Sequence, residues 1–289
     1  MADRRAWVAG LAALLLGLAG AAIGGGSPAW AEAPPAEPGA PADETPTQAY
    51  ARLEATVKGH LKEKDEAALK ADCARAKELG LSCAEVALRP KYLALLGSIL
   101  QGTREEEVRK VAIQAIGETK EKSMFKYLRP YLAMPNAKEA GPLLIPAIEA
   151  AGQLAANDGA LLLVGLVKDS KVMTVAQAAI KAIGGYASNA RMRQKVVGDV
   201  IATVRKSRPG VGSRADTSSG EVVPTARVRT GDEEMSRWQA LAPVLVETLN
   251  KMTGHNAATA EDWFDLYDRY KTQPNVLFPA VATEKEKTP

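Results

Sequence analysis

Two cysteines (Cys73 and Cys83) and two histidines (His60 and His255) are all that the 289 residues contain of either type. They are too few and too scattered for a zinc site, so most metallohydrolase readings lose their raw material. Aromatic residues make up only 5%, and Lys+Arg 37 against Asp+Glu 34 leaves a formal charge of +3, which argues against a chain that coats nucleic acid. No Ser or Cys motif of the nucleophile-elbow type accompanies the histidines. They read as solvated or capping residues, His60 at the end of an Ala/Lys-rich helix and His255 between Gly254 and Asn256. Gly210-Val211-Gly212-Ser213 lacks the lysine and the spacing of a phosphate loop. Strand-like sequence is almost absent: only Glu221 to Thr230 qualifies, and Pro224 interrupts it.

What is present begins with an address. Arg4 and Arg5 precede 26 uncharged residues, Ala6 to Ala31, whose most apolar stretch is Leu11 to Leu18. This predicts a signal peptide over 1–31, with Ala29-Trp30-Ala31 supplying small residues before a cut at Glu32. An uncleaved anchor is the alternative, disfavoured by the many Gly and Ala residues, which gain little from hydrocarbon. Arg4-Arg5-Ala6-Trp7-Val8 resembles the twin-arginine export pattern, so both that route and ordinary secretion stay open. No Cys near the cut offers a lipid anchor. Residues 32–46 follow as a tether, with Pro34, Pro35, Pro38, Pro41 and Pro46 and no large apolar side chain. The expected location is periplasmic or secreted, with no membrane span after cleavage.

From residue 47 the expected state is helix. Alanine contributes 52 residues, and apolar positions recur at three and four rather than two. Thr47 to Lys62 and Glu63 to Leu79 read as a helical pair stopped by Gly80. One pattern then occurs three times, around Ile113, Ile148 and Ile180, spaced 35 and 32 residues apart. Relative to each isoleucine, apolar residues fall at −5, −1, 0, +2 and +3, and a glycine follows at +4: Gly117, Gly152, Gly184. Their small side chains admit a neighbouring helix, and the glycine is expected to end each helix. Second helices follow each copy at Lys122 to Ala133, Ala156 to Lys168 and Ala190 to Ser207. Helix pairs that cannot bury their faces alone are the logic of an α-solenoid, over 47–207.

Glu106 to Gly117, with Val108-Arg109, Ala112, Ala115, Ile116 and Gly117, resembles the first helix of a HEAT-like repeat of the short bacterial type, whose pattern runs Val-Arg-x-x-Ala-x-x-Ala-[Leu/Ile]-Gly. The second copy departs with Pro142 and Pro146, and the third has Ala176 where Arg109 stands in the first. After Ser207 the periodicity stops for a Gly/Ser/Thr-rich basic stretch, 208–232. It resumes over 233–279, where Leu241, Leu245, Val246 and Leu249 share one stripe and Val246 lies 66 residues after Ile180, twice 33. Thr259 to Asp262 reads as a helix start, with Trp263, Leu266, Tyr267 and Tyr270 on one face. Met252-Thr253-Gly254 followed by Trp263 resembles the closing segment of exported bacterial HEAT-repeat proteins of unassigned function. Its physical reading is a capping helix. Residues 280–289 are a charged tail.

The fold class expected is therefore all-α, an α-solenoid of HEAT-like helix pairs with a C-terminal capping helix. Glu105-Glu106-Glu107 is explained by the helix dipole. Cys73 and Cys83 are candidates for a disulfide if the chain folds back after Gly80, against the alternative of two free thiols. Arg205, Lys206, Arg208, Arg214, Arg227 and Arg229, against Asp216 and Glu221, form a candidate partner-binding segment or a merely solvated loop. The function expected is a non-enzymatic scaffold that binds another protein, with no cofactor and no nucleic acid. The alternative is a lyase-type or other enzyme accessory protein on the same repeats, holding a cofactor or small molecule in a Cys, His or acid cluster on the second-helix face. Mass spectrometry of the protein from its native host is expected to find Glu32 at the N-terminus; an intact chain in the membrane fraction would mean an anchor.

Overall fold

The chain divides into two units, Met1–Glu44 and Thr45–Pro289. In the computed structural model the described residues are 45–133, 141–189, 191–209 and 231–278, all in the second unit. The expected signal peptide, most of the tether, the strand-like run Glu221 to Thr230, most of the basic stretch and the tail lie outside them. Among the described residues every regular element is helical.

Helix α1, Pro46–Glu63, opens on a capping box in which Thr45 and Gln48 exchange side-chain and backbone bonds. Pro46 is its first turn, so the last residue assigned to the tether belongs to the helix, where a missing N–H costs nothing. Helix α2, Glu66–Ser82, is capped by Asp65, which accepts from the Ala68 N–H at 3.0 Å. It runs straight through Gly80, contrary to the expected stop. That glycine is buried against Leu93, and a Cβ there would collide with the leucine side chain. Helix α3, Arg89–Gly102, was not among the expected elements. Seven of its residues, Tyr92, Leu93, Leu95, Leu96, Gly97, Ile99 and Leu100, are buried on one broad face, opposite the narrow outward stripe of Lys91, Ala94, Ser98 and Gln101.

The repeats follow as α4 (Glu106–Glu118), a short 3-10 turn and α5 (Phe125–Leu132), α6 (Leu144–Leu154), α7 (Asn157–Asp169), α8 (Met173–Ile183) and α9 (Arg193–Arg205). The chain continues in α10 (Gly231–Thr253), α11 (Ala260–Tyr270) and the single turn α12 (Pro274–Leu277). The first helices of successive copies pack side by side, α4 on α6 and α6 on α8, and α10 packs on α8 as the next of the series. The second helices likewise neighbour one another: α5 and α7, α7 and α9, α9 and α11. Every apolar repeat position is buried, from Val108, Ala112, Ile113, Ala115 and Ile116 to Val175, Ala179, Ile180, Ala182 and Ile183. In α10 the same offsets around Val246 give Leu241, Leu245, Thr248 and Leu249, all buried.

Gly184 caps α8 as expected, whereas the first two repeated glycines have a different task from the one their position suggests. Helix α4 continues to Glu118 and α6 to Leu154, so neither Gly117 nor Gly152 ends its helix. The left-handed residues that turn the chain are Lys120 (φ 55) and Ala155 (φ 45). A Cβ on Gly117 would lie 2.8 Å from Ala150 Cα, and one on Gly152 would lie 2.6 Å from the Ala182 carbonyl oxygen and 2.8 Å from its Cα. A Cβ on Gly184 would meet Thr248 Cγ2 at 3.4 Å. In all three cases the glycine at +4 of one helix abuts the small residue at +2 of the next. At Gly117 and Gly152 backbone thus lies directly on backbone, whereas Gly184 faces the Thr248 methyl at ordinary contact distance.

At the C-terminal end the buried Trp263 of α11 donates from Nε1 to Asn250 Oδ1 at 2.9 Å. Asn250 also donates to the Ala257 carbonyl at 2.9 Å and accepts from the Ala257 N–H at 3.1 Å, holding the α10–α11 turn. Thr259 and Asp262 form the capping box that starts α11, as the sequence predicts.

Substituting Gly152→Ala is expected to lower stability by a net ~1–2 kcal/mol, because overpacking of backbone outweighs the better helix propensity of alanine. Gly165→Ala in α7, where a Cβ meets nothing within 4 Å, should instead raise it by ~0.5–1 kcal/mol. Chemical denaturation midpoints of the two variants check both signs.

Candidate interaction surface

The polar residues singled out in the sequence divide between internal ties and solvent. Arg205, at the end of α9, donates from Nη2 to Asp268 at 3.0 Å and to the Phe264 carbonyl at 3.3 Å, with its guanidinium 4.6 Å from the centre of the Phe264 ring. All three partners are on α11, so Arg205 pins the last helix down and is engaged within the fold rather than offered to a partner. Arg208 approaches Glu261 of the same helix at 3.8 Å, and Lys206 is exposed. Arg214, Arg227 and Arg229 lie outside the described residues, as does Gly210-Val211-Gly212-Ser213.

The cysteines are both free thiols. Because α2 is unbroken through Ser82, Cys73 and Cys83 stand ten residues apart along one helix, a rise of about 15 Å. A disulfide requires Cα atoms within about 7 Å, so the pairing is ruled out unless the helix unwinds. Cys73 is fully buried, and burial, with Asp72 beside it, pushes its thiol up to about 12. Cys83 caps α2 and donates to the Glu85 carbonyl at 3.5 Å.

Both histidines bridge helices. His60 Nδ1 is 2.8 Å from Asp72 Oδ2, joining α1 to α2 around a carboxylate that is 6% exposed. The hydrogen bond that its Nδ1–H donates to Asp72 holds the imidazole above its ordinary value of 6.5, with the nearby charges of Asp72, Asp65 and Glu63 adding to the effect. His255 lies edge-on to Trp263, ring centres 5.8 Å apart, and its Nε2 faces the carbonyls of Val276 and Leu277 at 3.1 and 3.2 Å. With two carbonyls as partners, Nε2 carries the proton. Glu105 is the N-cap of α4 and Glu106 and Glu107 its first turn, as the dipole argument expects, with Glu107 also bridging to Lys110 at 3.1 Å.

The sequence reading passed over Arg237, which donates from α10 to the carbonyls of Ser170 (2.9 Å) and Val167 at the end of α7. It meets acceptors that a helix C-terminus leaves unfilled, at the negative end of the dipole. No sequence signal distinguishes it from a surface arginine.

What remains for a ligand is a groove of about 360 Å³ between α6 and α8. Its floor is made by the small residues Gly152, Ala178, Ala182 and Gly185, and Ile145, Glu149, Gln153, Thr174, Gln177 and Lys181 form its walls. A second recess of about 400 Å³ lies between α10 and α11, beside Trp238, Val246 and Glu247. Among the described residues no three of His, Cys, Asp and Glu gather as a metal-binding group. The described second helices α5, α7, α9 and α11 contain neither Cys nor His. No family model matches the chain, and no curated protein matches it either. Among the described residues no helix is long and apolar enough to cross a membrane.

The His60–Asp72 pair has a pH consequence. A folded-state pKa raised above the unfolded value gives a stabilisation that is complete below 6.5 and is lost as pH rises through the folded value. Denaturation midpoints of the wild type should therefore decline, relative to those of Asp72→Asn, on going from pH 6 to about pH 8. A constant difference across that range would show that the pair carries no charge.

Proposed function

We propose that this protein is an exported, non-enzymatic scaffold, an α-solenoid of HEAT-like helix pairs that presents the outer face of its first helices to another protein. The observation that carries the reading is the close contact of a +4 glycine with a +2 alanine, made alike between α4 and α6 and between α6 and α8, with α10 packed on α8 at the same register. Identical joints between successive units generate a continuous surface whose length grows with repeat number, suited to a macromolecular ligand rather than an enclosed small molecule. The open groove between α6 and α8 supports this reading, since its floor is small residues and its walls carry amides and single charges. Export rests on the sequence pattern of residues 1–31.

The test is capture on the immobilised mature chain from the envelope fraction of its native host. The expected result is a protein retained in fixed stoichiometry and released by free mature chain. Retention of no protein in stoichiometric amount would overturn the scaffold reading.

A further inference from the structure

The first helices at the middle of the series are nearly without charge. Helix α6 contains one charged residue, Glu149, and α8 contains one, Lys181. Both stand at the same register, immediately after the buried isoleucines Ile148 and Ile180. In α10 that register, after Val246, is held by Glu247. All three side chains belong to exposed residues, and none takes part in an ion pair among the described residues. The same face therefore shows negative, positive and negative charge on three adjacent helices.

Neighbouring packed helix axes lie about 8–10 Å apart. A polyproline II segment rises about 3.1 Å per residue with three residues per turn, so residues i, i+3 and i+6 point the same way about 9 Å apart. That spacing matches the helix spacing. An α-helical ligand reaches a similar spacing only at i, i+7, about 10.5 Å apart, with the side chains at i+3 and i+4 facing the same way between them. The small-residue floor between Glu149 and Lys181 leaves room for the intervening apolar rings.

We propose that the face of α6, α8 and α10 binds a polyproline II segment of a partner protein carrying a cation, an anion and a cation at i, i+3 and i+6, opposite Glu149, Lys181 and Glu247. This rests on the scaffold reading and names the ligand chemistry. The chain's own proline-rich stretch does not qualify, because Glu32, Glu37, Asp43 and Glu44 are its only charges.

The experiment uses the mature chain and two fluorescein-labelled peptides, Lys-Pro-Pro-Glu-Pro-Pro-Lys and its sign-inverted counterpart Glu-Pro-Pro-Lys-Pro-Pro-Glu, with anisotropy read at low salt. The first should bind about tenfold more tightly, the sum expected of three exposed ion pairs. In the variant Glu149→Lys/Lys181→Glu/Glu247→Lys the preference should invert while the melting temperature stays unchanged, since all three positions are exposed. Equal affinities, no binding of either peptide, or a preference that survives the charge exchange would overturn the proposal. Envelope capture separates the two readings. A partner retained undiminished by the triple variant removes this proposal and leaves the scaffold intact, whereas failure of the wild type to retain any partner removes the scaffold.

Discussion

Everything in the repeated part of this fold depends on how closely one first helix can approach the next. Gly117 on Ala150 and Gly152 on Ala182 are the same contact made twice. Each brings main chain against main chain, where dispersion contacts are dense and a single methyl group has nowhere to go. The glycines weaken their own helices by about 1 kcal/mol each relative to alanine. That local loss is tolerated because the helices are held by their neighbours, not by their intrinsic propensity.

A series of like units leaves an open face at its end, and polar ties close this one. Arg237 reaches back from α10 to the carbonyl end of α7, and Arg205 reaches forward from α9 to α11. Asn250 and Trp263 lock the turn between α10 and α11. These are side chains that a composition-based reading assigns to solvent or to a partner. Arg205, the first residue of the basic segment, is thereby engaged with α11. On α6 and α8 the outward charges are single residues, Glu149 and Lys181.

The cysteines illustrate how one misplaced boundary changes chemistry. A helix ending at Gly80 would let the chain fold back and bring the thiols together. A helix running on to Ser82 keeps them on one rod, and burial leaves Cys73 an inert core residue. The difference of two residues at a helix end separates a disulfide from two thiols. Sequence cannot resolve it, because glycine serves equally as a stop and as a gap for the Leu93 side chain of the neighbouring helix.

Sequence alone determined the helical class and the three repeated stripes, because burial on one face imposes a 3.6-residue period that survives in the order of Val, Ala and Ile. It also determined the start of α11, where Thr259 and Asp262 cap through purely local bonds. It did not single out α3, which lies outside the three copies although its apolar positions keep the helical period, nor Gly117 and Gly152 as contact points, which exist only when a second helix is present. It showed Leu241, Leu245 and Val246 on one stripe, yet only packing put α10 against α8 as the next member. The assignment of Arg205, Arg237, His60 and His255 to interhelix ties was likewise decided by tertiary structure. A side-chain hydrogen bond to a residue on another helix, 12 to 70 positions away, leaves no local trace in the chain, whereas a cap or a stripe is written within a few residues of itself.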